Sequence, residues 1–384
     1  MFTRSGFDHF SRSFKPQQAS SLKERGIVVD QKPQSRLVGV TTALVTPFTK
    51  TGEIDWDQLQ QNLEFQISQG VAGVLPCGTT GESPTLTWEE HWRVIRRVVA
   101  WTKGRVFVLA GTGSNNTKEA LQASIEAAED GADGVLLVEP YYNKPASAQL
   151  REYYHQPIAE AVYRVNPQCL VVPYIIPGRT CCKLEPLDLA ILAAKCPNVR
   201  AVKEATGDIN NMGSTRALIN QEIGQLEHFK IFSGDDSITA EMMIAPGIAG
   251  DGVISVMSNI IPNPIDRMVQ AILGRNCKLG RELDQSLRPL FTKVGISTTS
   301  IRPDHDPNTP VTDKWPNPCT VKIMMQLLGI DTGVMRPPLG SVDPEVKIAC
   351  WQALTEQHHA APEAFTRLEA FYGINVKDRL ERAQ

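Results

Sequence analysis

Eight short apolar runs, rich in β-branched residues and recurring at intervals of about 30 residues, constrain the fold of this sequence more than any other feature. They cover residues 37–45, 71–76, 105–110, 134–138, 169–174, 199–203, 229–233 and 252–256. The segments between them have helical periodicity; Leu59, Leu63 and Ile67, for example, share one face of a predicted helix. Strands that alternate with helices in this number favour a parallel sheet closed on itself. We therefore predict an α/β fold, a (β/α)8 TIM barrel over residues 37–275, followed by a C-terminal helical appendix.

The two ends of the chain lie outside this repeat. Residues 276–384 carry helical patterns at 279–291, 321–328, 343–358 and 362–372, interrupted by a Pro-rich loop at about 296–318. That loop is long enough to be either a lid or a disordered insertion. Residues 1–36 are polar, and we expect a disordered N-terminal extension there. An organellar transit peptide is the alternative, although Asp8, Glu24 and Asp30 argue against it.

Charge and cysteine content exclude several classes of partner. The formal net charge of −3 and the scattered Lys and Arg residues give no basic stripe, so we expect no nucleic acid as partner. No apolar run reaches the length of a membrane span. The eight cysteines, of which only Cys181 and Cys182 are adjacent, include no CxxC pair and are typical of reduced thiols. These features predict a cytoplasmic protein that binds no membrane.

Sequence signatures of other catalytic classes are incomplete in this chain. Gly111 and Gly113 begin a pattern like that of a dinucleotide-binding loop, but Asn116 occupies the position of its third glycine. A Walker loop, a GxSxG elbow and an HExxH motif are all missing from the sequence. The histidines near positions 305 and 358 lack the spacing of metal ligands. We therefore expect neither a metal ion nor a cofactor.

Reactive side chains cluster instead at the carboxyl ends of the predicted strands. In a (β/α)8 barrel, the loops that follow these ends build the active site. Six strand ends carry such residues, at positions 78–82, 111–115, 140–143, 174–180, 203 and 234–236. The sequence therefore predicts one site at this end of the barrel.

Lys203 is the residue around which we interpret this site. It ends a β-branched strand, and Gly207 follows it before a helix begins. Burial removes water from an ammonium group and lowers its pKa, and only the neutral amine attacks a carbonyl carbon to form an imine. A lone lysine at a strand end more often extends into solvent. The neighbouring polar loops favour the catalytic interpretation.

Three further groups have roles that residue chemistry suggests but leaves open. Thr79 and Thr80, set between glycines, offer hydroxyl and backbone N–H groups to a carboxylate, or form an ordinary polar turn. Tyr174, on the strand beside Lys203, either moves protons during imine formation or packs the core. Arg179 either presents a planar fork to a second carboxylate or is a surface charge.

Four strings of residues together resemble the dihydrodipicolinate synthase and N-acetylneuraminate lyase family: GTTGE, PYYN, YxxPxRT and KEATGD, which begin at residues 78, 140, 174 and 203. The resemblance extends from Leu37 to the C-terminus. It implies a barrel in which Lys203 forms a Schiff base with pyruvate. The presence of Arg179 resembles the synthases of this family, because the matching loop of the sialic-acid lyases lacks this arginine. That likeness implies condensation with L-aspartate 4-semialdehyde in lysine and diaminopimelate biosynthesis.

The resemblance also implies roles for residues at matching positions. The implied catalytic residues, a nucleophile and its proton relay, are Lys203, Tyr174, Thr79 and Tyr142, the last reaching in from a neighbouring subunit. The implied substrate-binding residues are Thr79 and Thr80 for the pyruvate carboxylate, Arg179 for the semialdehyde carboxylate, and Ile254 as pocket wall. A relay across two chains implies a homotetramer or a homodimer.

Feedback inhibition by L-lysine is implied by the same resemblance. An amino acid needs an acceptor for its ammonium group and donors for its carboxylate. The positions that match the family's inhibitor cleft are Ser83, Trp88, His91, Asn115, Glu119 and Tyr141.

Two departures from the family pattern leave other functions open. Ile175 stands where the family usually has asparagine, and the loop 297–317 is longer than the usual connection. One alternative is a related aldolase or lyase for another 2-oxo acid. The other is a barrel that senses an amino acid without catalysis.

Overall fold

The computed structural model describes residues 37–224, 229–302, 306 and 308–383, so the predicted N-terminal extension lies outside the described residues. Parallel strands close into an eight-stranded barrel in chain order, which confirms the predicted fold class. The strands are β1 (Gly39–Ala43), β2 (Gly73–Leu75), β3 (Phe107–Gly111), β4 (Gly134–Val138), β5 (Leu170–Ile175), β6 (Ala201–Glu204), β7 (Lys230–Ser233) and β8 (Gly252–Ser255). The ring closes through β1, because Thr41 pairs with Gly73 on one side and with Ile254 on the other.

Helices surround the barrel and continue beyond it. Those of the barrel are α1 (Trp56–Ser68), α2 (Trp88–Thr102), α3 (Thr117–Glu129), α4 (Ser147–Leu150) with a π-helical turn at Arg151–His155, α5 (Gln156–Val165), α6 (Pro177–Thr180), α7 (Pro186–Lys195), α8 (Ile209–Ile223), α9 (Thr239–Ile244) and α10 (Pro262–Leu273). The predicted appendix consists of α11 (Cys277–Phe291), α12 (Cys319–Leu328), α13 (Pro344–Ala360), α14 (Thr366–Tyr372) and α15 (Val376–Arg382). The last of these was not predicted.

Strand side chains point alternately into the barrel and towards the helices. Tyr174, Phe232 and Ile254 belong to the apolar cluster inside the barrel. Ile175 and Val202 belong to the larger cluster between the barrel and its helices. Because both faces are buried, the strands appear in the sequence as continuous apolar runs. Apart from the partly buried Lys230, the polar residues on these strands are therefore buried on one side or the other.

Local sequence signals fix where the helices begin. Thr87 and Glu90 form a reciprocal capping box at the start of α2, in which Glu90 accepts from the Thr87 backbone N–H at 2.9 Å. Asp55 caps α1 by accepting from the Gln58 N–H at 3.0 Å. A cap of this kind stabilises a helix by about 1 kcal/mol. The start of α2 matters for the site because it places His91 beside the barrel mouth.

The Pro-rich segment of the appendix, expected to be either a lid or a disordered insertion, has regular secondary structure among its described residues. It contains an antiparallel hairpin, β9 (Ile296–Ser300) and β10 (Val311–Trp315). The Trp315 indole donates to the Thr298 hydroxyl at 2.8 Å, and Arg302 pairs with Asp313 at 2.8 Å. These contacts explain how a two-stranded ribbon, which is marginal alone, stays ordered here.

A buried ion pair joins the appendix to the barrel. Lys322 of α12 donates to Glu82 at 2.5 Å, and both side chains are fully buried. The ammonium also donates to the carbonyls of Thr46 at 3.2 Å and Val334 at 3.1 Å. Burial lowers the pKa of Lys322, and Glu82 opposes that effect. The appendix is thus fastened to the turn that carries Thr79 and Thr80.

Within the described residues, no helix has both the length and the apolar character needed to cross a membrane. All eight cysteines are free thiols.

Candidate active site

Lys203 and Tyr174 are direct neighbours at the barrel mouth. They pair in register on β6 and β5, and the Lys203 Nζ lies 4.1 Å from the centre of the Tyr174 ring. The lysine is only 5 % exposed and the tyrosine only 4 %. The two residues end neighbouring strands that the sequence predicts, and the pairing of these strands places the amine against the tyrosine ring inside the barrel.

The electrostatic surroundings of Lys203 favour its neutral form. Burial lowers the pKa of Lys203 to about 8; the carboxylates of Asp235 and Asp236 oppose this effect, while Arg179 reinforces it. At pH 7 a pKa near 8 leaves roughly one amine in eleven neutral, against roughly one in three thousand for an ordinary lysine. The site therefore supplies a nucleophilic amine near neutral pH.

Gly234, directly after β7, provides the space that the lysine occupies. A Cβ atom at this position would lie 3.1 Å from the Lys203 Cε and 2.6 Å from the Ala205 Cβ. Neither distance is normal for carbon atoms, so a larger residue would displace the lysine or the strand. The Gly-Asp-Asp sequence after β7 thus combines room for the amine with a carboxylate beside it.

Tyr174 is held as a neutral phenol. Burial raises its pKa, Arg179 and a hydrogen bond with Thr79 oppose the rise, and Asp235 adds to it. A neutral phenol in contact with a threonine hydroxyl can pass a proton in either direction. Thr79 and Tyr174 are therefore brought together as the sequence interpretation requires.

Arg179 and Thr80 are linked through Asn317, which follows the hairpin. The Asn317 amide nitrogen donates to the Thr80 hydroxyl at 3.0 Å, and Arg179 Nη2 donates to the Asn317 carbonyl at 3.0 Å. Thr80 is buried and Arg179 is exposed. One residue of the appendix thus contacts both candidate carboxylate-binding groups.

A single cavity of about 330 Å3 opens beside these residues. Thr79, Tyr174 and Arg179 line one part of it. The six positions predicted for an inhibitor line the same cavity: Ser83, Trp88, His91, Asn115, Glu119 and Tyr141. The structure thus brings two candidate catalytic residues, Thr79 and Tyr174, and the six inhibitor positions into one continuous space.

The predicted inhibitor residues form a mixed polar and aromatic wall. His91 is buried, its Nε2 lies 3.2 Å from the Ser83 hydroxyl, and burial lowers its pKa to about 4, so the ring is neutral at pH 7. The Trp88 ring is tilted against that of His91, with ring centres 5.0 Å apart. Glu119 accepts from the Ser114 hydroxyl at 2.7 Å. A carboxylate and aromatic faces together suit an ammonium group.

Four predicted residues are not among those that line the cavity: Lys203, Thr80, Tyr142 and Ile254. Tyr142 is 85 % exposed and has a φ of 84°, so its side chain faces outwards within one chain. Ile254 is fully buried in the interior cluster that also contains Tyr174. Of these, Lys203 contacts a residue that does line the cavity, Tyr174.

Two residues that the sequence analysis did not assign prove close to the chemistry. Asp235 was noted only as part of a strand end, yet its charge acts on both Lys203 and Tyr174. Asn317 lies outside the barrel repeat and contacts Thr80 and Arg179. The position of Asp235 just after β7 is a sequence signal that could have assigned it to the site. No periodic feature of the sequence places Asn317 at the mouth of the barrel.

Known proteins of one family are similar to this chain in both sequence and structure. The sequence model of the dihydrodipicolinate synthetase family matches residues 36–303. The 4-hydroxy-tetrahydrodipicolinate synthase of Leptospira biflexa is 38% identical over 305 residues, which are 79% of this chain and 92% of that protein. That of Methanosarcina barkeri is 40% identical over 301 residues, 78% of this chain and 91% of that protein.

Solved structures agree. A lysine-bound dihydrodipicolinate synthase from Cyanidioschyzon merolae superposes with a TM-score of 0.71 at 30% identity, covering 84% of this chain and 98% of that one. A dihydrodipicolinate synthase variant described as monomeric gives a TM-score of 0.73 at 32% identity, covering 85% and 98%.

Fold and site together define a (β/α)8 barrel with a buried, neutralisable lysine at the carboxyl ends of its strands. In the class of (β/α)8 barrels, a site of this kind can attack carbonyl compounds through an amine. Within this class, the chain belongs to the dihydrodipicolinate synthetase family, and the resemblance noted in the sequence is confirmed.

Proposed function

We propose that this chain is a lyase that condenses pyruvate with L-aspartate 4-semialdehyde to give 4-hydroxy-tetrahydrodipicolinate. The observation that carries the proposal is the pairing of buried Lys203 with Tyr174 at a mouth that also presents Arg179. The curated relatives that bear the name of this synthase support the choice of substrates. The reaction belongs to lysine and diaminopimelate biosynthesis.

The reaction begins at the neutral Lys203 Nζ, which attacks the carbonyl carbon of pyruvate. Loss of water from the carbinolamine gives an imine, and loss of a methyl proton gives the enamine. The enamine carbon then attacks the aldehyde of the semialdehyde, and ring closure frees the lysine. Tyr174 and Thr79, which share a hydrogen bond, carry the protons that these steps release and consume.

Two carboxylates must be held, one on each substrate. Thr79 and Thr80 are proposed to hold that of pyruvate, close to the lysine. Arg179 is proposed to hold that of the semialdehyde, because its guanidinium lines the cavity and offers a planar fork. Ile254 is proposed to bound the pocket on the interior side.

Tyr142 is proposed to complete the relay from a second copy of the chain. Its exposure within one chain supports this role, since the side chain faces outwards and does not line the cavity of its own chain. We accordingly propose a homodimer or homotetramer. A cytoplasmic location remains a prediction, and the transit-peptide alternative concerns residues outside the described part of the chain.

L-lysine is proposed to bind the part of the cavity lined by the predicted inhibitor positions. Glu119 and the neighbouring Trp88 face the cavity and suit an ammonium group. Titrating lysine against activity should give inhibition in the parent protein and weaker inhibition in Glu119→Ala. Glu129→Ala, an exposed carboxylate on the same helix, is the matched control. Activity that lysine does not change would remove this part of the proposal.

Borohydride trapping tests the proposed function. With pyruvate present, reduction should fix a three-carbon adduct on Lys203, which peptide mass spectrometry locates. Lys203→Ala should give no adduct and no turnover but should still fold, since burying the ammonium costs on the order of 3 kcal/mol. Lys314→Ala, on the exposed face of β10, serves as control.

An adduct on another lysine, or none, would overturn the mechanism. The product of condensation with L-aspartate 4-semialdehyde, measured against other aldehydes, separates the synthase from a related aldolase. A barrel that only senses an amino acid would not need Lys203 and Tyr174 side by side. The relatives that bear the name of the synthase also do not favour this alternative.

A further inference from the structure

Two buried carboxyl groups flank the strand that carries Tyr174. Glu139 directly follows β4, Glu204 ends β6, and both side chains are fully buried. Glu204 pairs in register with Ile175, whereas Lys203 pairs with Tyr174. Since neighbouring residues on a strand point to opposite sides, Glu204 faces the helices and not the barrel interior. The proposed mechanism uses neither carboxyl group.

Glu204 is well provided with hydrogen-bond donors. Its oxygens accept from the Thr206 N–H at 3.0 Å and from the Asn211 side chain at 3.1 Å. Lys183 donates to the same asparagine at 3.2 Å, and its charge lowers the pKa of Glu204. These contacts favour the ionised form of this carboxyl.

Glu139 is provided with fewer donors. Its Oε1 accepts from the Leu184 N–H at 2.6 Å, while its Oε2 is buried without a hydrogen-bond partner among the described residues. The Thr180 hydroxyl is the other polar group beside it. The further titratable groups that face it are Glu204, Glu185, Tyr154 and Cys182, and none of them is a cation. When one of the two buried carboxyls carries a proton, Glu139 is therefore the one that does.

Through the Leu184 N–H, Glu139 contacts the backbone segment that begins with Arg179 and Thr180. Arg179 lies in α6, and the next residue, Thr180, donates to the carbonyl of Ile176 at 3.1 Å or of Cys182 at 3.0 Å. The hydrogen bond from Leu184 to Glu139 closes the same segment against β4. The position of this segment thus depends in part on a buried acceptor, while the guanidinium itself donates to the Asn317 carbonyl.

We infer that Glu139, in its protonated form, is a positioning residue that keeps the Arg179 segment docked for recognition of the second substrate's carboxylate. The inference rests on the proposed function only where it names that substrate. Ionisation would put a second negative charge beside Glu204, and hydrating that charge requires the segment at Thr180–Leu184 to open. Burial raises the pKa of Glu139 to about 8 and that of Glu204 to about 7, which agrees with the order deduced from the contacts.

Hydrogen exchange at the Leu184 amide tests the inference without any substrate. Glu139→Gln keeps an oxygen for this amide and cannot ionise. At pH 9, about one unit above the Glu139 pKa, the Leu184 amide should exchange about tenfold faster in the parent than in Glu139→Gln. At pH 6 the two proteins should exchange alike. Equal rates at both pH values would overturn the inference, whatever the protein catalyses.

Steady-state kinetics tests the link to the substrate. In the parent, KM for the aldehyde should rise about tenfold between pH 7 and pH 9, while KM for pyruvate stays within about twofold. Glu139→Gln should lose this rise. Glu160→Gln, which removes an exposed carboxylate on α5, should keep it and serves as the matched control.

The two failures are distinguishable. A parent protein that traps pyruvate on Lys203 but shows the same pH dependence as Glu139→Gln refutes the positioning role alone. A parent that traps no pyruvate refutes the proposed function, and the exchange experiment still decides the role of Glu139.

Discussion

Two features of its surroundings shift the pKa of Lys203 in opposite directions. Burial favours the neutral amine, whereas the Asp235 carboxylate favours the ammonium. Burial is the larger influence, so the pKa of the lysine falls to about 8, and the carboxylate keeps it from falling further. A value near 8 suits the proposed role of this lysine, in which it is a nucleophile in one step and a proton-bearing imine in the next.

Removing the Asp235 charge should shift this balance. A carboxylate stabilises the ammonium and raises its pKa, so Asp235→Asn should lower the pKa of Lys203 below its parent value. More amine is then neutral in acid. At pH 6 the single-turnover rate of imine formation with pyruvate, relative to its plateau in alkali, should rise about threefold. Rapid-quench trapping with borohydride across pH 5.5–9 measures it.

The control for this experiment is Asp57→Asn, an exposed carboxylate in the first turn of α1. It should leave the pH profile unchanged. A profile in Asp235→Asn that is unchanged or moves towards alkali would contradict the role assigned to this carboxylate.

At the residue scale, the sequence predicted positions better than interactions. Lys203 and Tyr174 were found because each ends an apolar run, and strand register then made them neighbours. The influence of Asp235 was not predicted, because sequence gives the order of residues but not the depth at which a carboxylate sits. The buried pair Glu139 and Glu204 was missed for the same reason.

At the scale of elements, the barrel was predictable and its appendix only in part. The eight strands and the helices between them follow from periodicity that repeats along the chain. The hairpin β9–β10 was hidden because its strands are half exposed and its prolines suggested irregular structure. The hairpin matters for the proposed site because Asn317, two residues after β10, contacts the Thr80 hydroxyl and Arg179.

The appendix also reaches the mouth through the Glu82–Lys322 ion pair. Glu82 closes the turn that contains Thr79 and Thr80, with a φ of 54°. Its second oxygen accepts from the Arg336 N–H at 3.1 Å. Two independent contacts thus tie the same turn to the appendix, and neither could be found from periodicity because each joins residues more than two hundred positions apart.

At the scale of the whole molecule, one chain holds most of the proposed site but not all of it. Lys203, Tyr174, Thr79 and Arg179 meet at one mouth, whereas Tyr142 faces outwards. If Tyr142 completes the relay of a neighbouring subunit, each active site combines side chains of two chains. Assembly would then be a condition of activity and not only of stability.

Mixing two inactive variants tests this arrangement. Lys203→Ala removes the nucleophile, and Tyr142→Phe removes the relayed hydroxyl. In a dimer of one chain of each kind, the chain with intact Lys203 receives Tyr142 from its partner, so one of the two sites is complete. Random pairing of equal amounts gives half mixed dimers, and activity should recover to about a quarter of the parent value. Sedimentation of the parent should show a dimer or a larger assembly. A fully active monomer, or a mixture that stays inactive after subunit exchange is verified, would show that Tyr142 does not act across chains.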